Sequence, residues 1–174
     1  MDQGLETLQR EIVAAVAGMT PEQLGRHKPG KWSAAEMLEH LYLTYTGTIK
    51  GFERVAAGQH SLCSNSTWRH RARRFVVLNL SYMPPGRNAP ANTRPRGLPP
   101  QKVVAGISSK IAEMDEMISR CEHMLGRGVL LDHPILGPLT AAQWRKFHLV
   151  HGLHHVKQIR SLGQSFGANE TIPA

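Results

Sequence analysis

An all-α fold, a helix bundle with four principal helices, is what this sequence predicts. Three observations carry it. Apolar residues recur at steps of three and four in four separate stretches, which is the helical period. Almost no stretch reads as a credible strand. A chain of 174 residues can bury a sizeable core, so residues 1–174 are read as a single bundle domain.

The first helix spans Leu5 to Ala17, with Leu5, Leu8, Ile12, Val13 and Val16 as its apolar positions. Gly18 and then Thr20-Pro21 end it or open a short capped turn. A second helix opens at Ser33 as N-cap. Glu36 three residues on completes a capping box. Met37, Leu38, Leu41, Tyr42, Tyr45, Ile49 and Phe52 then lead toward Gly58. A short helix is expected near Thr67 to Leu80. The stretch SYMPPGRNAPANTRPRGLPP after it, residues 81–100, holds too many prolines for a regular helix and reads as a long loop wrapped on the body. The third principal helix runs from Gln101 to Leu125 and stops at Gly126 and Gly128. VLLDHPILGPLT reads as a short loop. Thr140 caps the last helix, Ala141 to about Leu162. The chain beyond Gly163 reads as a tail.

Lys and Arg outnumber Asp and Glu by 21 to 13, a formal charge of +8, with pI near 10. Such a surface attracts anions in general and selects none of them. The densest cluster, Arg69 to Arg74, reads as a solvated helix face. No zinc finger, aromatic RNA-binding motif or clear helix-turn-helix signal is present, so specific nucleic-acid binding is not expected. Cys63 and Cys121 suggest neither a disulfide framework nor a cysteine zinc site. No run approaches a membrane span, and MDQGLETLQREI lacks the pattern of a secretory signal. A cytoplasmic protein with no membrane partner is the expectation.

The chemistry concentrates in FHLVHGLHHVKQIR, Phe147 to Arg160, which holds four of the ten histidines. On a helix, His148, His151, His155 and Gln158 share a stripe, and His154 falls to one side. That stripe rises about 10 Å, too far for His148 and His155 to share one ion at about 2 Å each. A single metal would take either His148 with His151, or His151 with His155. The third ligand must come from elsewhere, and His40, among apolar residues of the second helix, is the best candidate. A buried imidazole needs a partner, which a metal would supply. Three histidines with an open position are a catalytic type of site. The bland alternative is chance HxxxH spacing in a His-rich chain with a hydrogen-bonded core histidine. His27, His60, His70, His123 and His133 read as surface or loop residues.

KWSAAEMLEHLYLTY resembles the second-helix signature of the DinB/YfiT-like superfamily, and HPILGPLTAAQWRKFHLVHGLHHVKQI resembles its last helix and lead-in. The resemblance implies a four-helix bundle with up-down-down-up wiring, the Pro-rich segment lying in a long crossover between helices two and three. It implies a divalent metal, zinc or nickel, on His40, His151 and His155, and often a homodimer. Some members transfer low-molecular-weight thiols onto electrophiles. The small-molecule substrate would then be such a thiol, and the reaction an S-transfer or a hydrolysis. Where family members commonly read HHRGQ this chain has HHVKQ, so Lys157 alone keeps a positive charge there. Gln158 could orient a ligand or substrate, or be a surface amide at the helix end. Glu36 could support His40 through a hydrogen bond, though its capping role already explains it. Trp32 and Trp144 read as packing residues, as do Tyr42 and Tyr45. The rival to an enzyme is a non-catalytic metal-binding module or a stress-associated helical protein.

Overall fold

The computed structural model describes residues 1–84 and 88–167. It is mostly helical. In order come α1 (Gln3–Val16), α2 (Pro21–Gly25), α3 (Ala34–Gly58), α4 (Trp68–Arg74), α5 (Pro100–Leu125), strands β1 (Val129–His133) and β2 (Gly137–Thr140), and α6 (Ala141–Gly167). A π-helical turn, Phe75–Asn79, continues α4, and a 3-10 turn, Ala91–Thr93, interrupts the Pro-rich stretch.

Three of the four long helices begin where side chains satisfy their orphan amides, whereas α5 opens at Pro99-Pro100 with no side-chain cap. Asp2 caps α1 through Gly4 and Leu5 N–H. Ser33 and Glu36 form the expected capping box of α3, and Thr140 and Gln143 form another at the start of α6. Thr20 does the same for α2. The long helices then close on one another, α3 against α5 and α1 against α6, with α1 touching α5 and α3 touching α6. Leu5, Leu8, Ile12, Leu38, Leu41, Tyr45, Phe52, Ile107, Ile111, Met114 and Ile118 fill the space between them, none more than 1% exposed. Arg145 of α6 spans to α5, donating to Asp115 at 2.7 Å and Glu122 at 2.8 Å. Asp115 in turn accepts from the Asp2 backbone N–H, which ties the entry of α1 to the same knot.

Two expectations are corrected here. VLLDHPILGPLT is not a loop: it folds into an antiparallel hairpin with Leu131 opposite Leu139 and His133 opposite Gly137. Its prolines and glycine mask the strand pattern, because Gly137, with a left-handed φ of 71°, opens the second strand and Pro138 sits within it. The hairpin is held from below by Trp144, whose indole N–H donates to the Leu131 carbonyl at 3.1 Å. Leu62 bridges the free edge of β1, donating to Leu130 and accepting from Asp132. The last helix also continues past Gly163 to Gly167, so the tail is shorter than expected; residues 168–174 lie outside the described residues. The 81–100 stretch is irregular apart from its 3-10 turn, with residues 85–87 outside the described ones. Cys63 and Cys121 are separate thiols.

Candidate metal centre

His40 lies one turn and a half into α3; His151 and His155 lie one turn apart in α6. Packing of α3 on α6 brings the three rings together, and they are 5%, 7% and 8% exposed. His40 Nε2 is 3.2 Å from His151 Nε2, and His155 Nε2 is also 3.2 Å from it. The three form a candidate metal-ligand group, the only such group of three or more among the described residues. Two nitrogens each about 2.0–2.1 Å from one tetrahedral ion stand roughly 3.3 Å apart, so the spacing suits zinc-like coordination.

The outer nitrogens decide where the protons are. His40 Nδ1 is 2.8 Å from the Thr93 carbonyl, which can only accept, so Nδ1 carries the hydrogen. His155 Nδ1 donates to Gln158 Oε1 at 2.8 Å in the same way. In the neutral rings both Nε2 atoms are then bare lone pairs aimed at His151 Nε2. His151 has one proton at most to offer, and its Nδ1 has no hydrogen-bond partner. Wherever that proton sits, a buried lone pair or a buried N–H stays unsatisfied, which is costly. A cation between the three rings removes the deficit. The donor set therefore fits a divalent metal on its own geometry, with Thr93 and Gln158 orienting two of the ligands.

Electrostatics keeps the rings neutral, as ligation requires. Burial lowers the pKa of His40, partly opposed by the Thr93 hydrogen bond. Burial first, then His155 and His40, push His151 well below the usual histidine range. Burial with the His40 and His154 charges takes His155 to about 3.

The remaining sequence candidates divide. His148 is fully buried beneath the site but bonds Thr48 Oγ1 at 3.1 Å, so it packs beside the cluster and is not part of it. Of the two pairs that spacing left open, it is His151 with His155 that the structure brings together with His40. Gln158 is an exposed amide at the surface whose Oε1 accepts from His155 Nδ1. Glu36 spends its carboxylate on the Ser33 N–H, the capping role. Lys157 is exposed, and its charge acts on His154, lowering that ring's pKa after burial. Tyr45 is buried with its ring 5.4 Å from His148, and Tyr42 faces α5 at Gly106 and Lys110. Trp32 packs against the core, its ring centroid 5.1 Å from that of His40, and it borders a cleft of about 450 Å³ with Glu36, Asn88, Ala89, Arg94 and Pro95.

His133 is a correction. It is not a surface residue: its ring packs at 4.3 Å on Phe147 and 5.3 Å on Trp144, and burial takes its pKa to about 4. Sequence reasoning missed it because the hairpin that carries it was read as a loop. Thr93 was missed for a different reason: it acts through its backbone carbonyl, which leaves no trace in residue type. Phe147, stacked on His151 at 16° between ring planes, shows as an apolar helix position four residues before it.

The family model described as a protein of unknown function (DUF1569) matches residues 6–161 of the chain. No curated protein and no solved structure matches it.

Proposed function

The chain belongs to the DUF1569 family, and we propose that it is a metal-dependent enzyme whose divalent cation, zinc or nickel, is held by His40, His151 and His155. The single observation that supports this most is the pair of bare Nε2 atoms of His40 and His155 facing His151 Nε2 at 3.2 Å in a buried setting. When bound, such a cation acts as a Lewis acid that lowers the pKa of a thiol or water sharing it. The chain's own part is positioning. Thr93 and Gln158 fix the tautomers of two ligands, burial keeps all three rings neutral, and Phe147 and Trp32 wall the centre with apolar surface.

The likeness to the DinB/YfiT-like superfamily extends the proposal. On that reading α1, α3, α5 and α6 are an up-down-down-up four-helix bundle, and residues 59–99 are its crossover. The order of the long helices and the packing of α3 on α5 across that long connection support it. The substrate is then a low-molecular-weight thiol or another small molecule, the reaction an S-transfer or hydrolysis, the working unit a homodimer, and the location the cytoplasm. Among the described residues no helix is long and apolar enough to cross a membrane.

One observation favours a second reading, a non-catalytic metal-binding module. All three ligands are at least 92% buried, and the cluster contains no carboxylate among the described residues to serve as a general base. The distinguishing experiment loads the purified protein with zinc or nickel and incubates it with low-molecular-weight thiols and an electrophile. Thiol consumption that requires metal, and that disappears in His151→Ala, supports the enzyme. Stoichiometric metal with no turnover on any thiol or ester leaves the module.

A further inference from the structure

The basic run Arg69 to Arg74, expected to be a solvated helix face, carries more than charge. Trp68, Phe75, Leu80 and Tyr82 are 69%, 56%, 59% and 53% exposed. These are half of the exposed large hydrophobics among the described residues, and they fall within fifteen positions. The segment is also firmly anchored. Arg74 donates to the Pro138 carbonyl at 2.6 Å and to Ser66 at 2.8 Å, the His70 ring packs against Gly137 of the hairpin, and Val77 and Leu78 are buried.

At about 100° per residue, His70 and Arg74 point to one side of α4, and Trp68, Ala72 and Phe75 to the other. The outward stripe is therefore apolar at its centre. Arg69 and Arg73 flank it on one side and Arg71 on the other, all three exposed, with Arg73 also reaching the Ile135 carbonyl at 3.5 Å. The Arg69 guanidinium lies 5.5 Å from the Trp68 ring centroid. An apolar stripe bordered on both sides by arginines is the pattern of a helix lying in a bilayer interface. Its rings enter the headgroup boundary while the guanidinium groups reach lipid phosphates.

We propose that the outer face of α4 and the following turn docks on an anionic phospholipid surface. The exposed apolar side chains set between arginines carry the choice. A bilayer interface can take up such side chains, whereas a single nucleic-acid strand is usually held in a groove. Leu80 adds aliphatic surface that suits acyl chains and offers no stacking platform. A second copy of the chain is disfavoured by charge, since a self-facing patch would set arginines against arginines on a molecule of net charge +8. Nothing in this proposal depends on the metal centre.

The test is co-sedimentation of the full chain with large unilamellar vesicles of phosphatidylcholine, alone or with about 30% phosphatidylglycerol. Three exposed arginines lead to binding on the order of a hundredfold tighter to the anionic vesicles, with a blue shift of tryptophan emission. Trp68→Ser/Phe75→Ser, which keeps the charge, should lose both the binding and the shift. Arg69→Gln/Arg71→Gln/Arg73→Gln, which keeps the rings, should reduce binding to that seen on neutral vesicles. Circular dichroism confirms that both variants are folded. The proposal is overturned by no binding to anionic vesicles, or by binding that survives loss of the two rings. It is equally overturned if the same variants abolish tighter binding to a single-stranded oligonucleotide, or dissociate a dimer of the free protein.

Discussion

At the scale of single residues, the centre depends on which nitrogen of each imidazole bears the proton. Gln158 sets this for His155 through one hydrogen bond of 2.8 Å. Gln158→Ala should therefore weaken metal affinity by about 10–100-fold, while leaving the thermal midpoint of the metal-free protein unchanged because the side chain is exposed. Gln158→Glu, which retains an acceptor, should recover most of the affinity. Competition with a chelating dye measures both; equal affinity in Gln158→Ala and the parent would remove Gln158 from the centre. The stripe of His148, His151, His155 and Gln158 was legible in the sequence because side-chain spacing on a helix is itself geometry; that spacing left the choice of pair open, and His40 stood out only as a histidine among the apolar residues of another helix. Thr93 was not legible, because a backbone carbonyl from a Pro-rich stretch has no spacing rule to betray it.

At the scale of elements, the ligands meet only if α6 lies at the right height against its neighbours. Gly152, next to His151, sets part of that height. A β-carbon there would stand 2.8 Å from Leu8 Cδ2 and 3.1 Å from Leu8 Cγ, so α1 could not pack as closely. Gly152→Ala should destabilise the fold by about 1–3 kcal/mol, despite a helix-propensity gain of ~1 kcal/mol. A urea midpoint equal to or above the parent's would show that α1 has room to move. The long helices were readable because caps and apolar periods are local. The hairpin was not: its strands are four and five residues long, interrupted by Gly137 and Pro138, and its stability comes from Trp144 and Leu62, which are distant in sequence or out of register. The outward apolar stripe of α4 was hidden for a related reason, since only the anchoring of His70 and Arg74 shows which face is turned out.

At the scale of the whole molecule, several buried histidines tie stability to pH. His148 and His155 have pKa values near 3 and His133 near 4, against 6.5 for a free histidine, with burial the largest cause in each. Between about 6.5 and these values the unfolded chain binds more protons than the native one. Stability from these groups is thus full above pH 6.5 and falls as pH is lowered toward 3. Urea midpoints of metal-free protein should drop steadily from pH 7 to pH 4, and a flat profile would show that these rings take up protons in the folded state. Metal held by His40, His151 and His155, which ligate only as neutral rings, should be released over the same range, sooner than the fold is lost.

The most direct measurement is the metal content of the purified chain, loaded with zinc and dialysed at neutral pH, beside that of His40→Ala prepared identically. Elemental analysis should find close to one zinc per parent chain and close to none in the variant, with both chains equally helical. Equal zinc in the two, or none in either, would contradict a cation held jointly by α3 and α6.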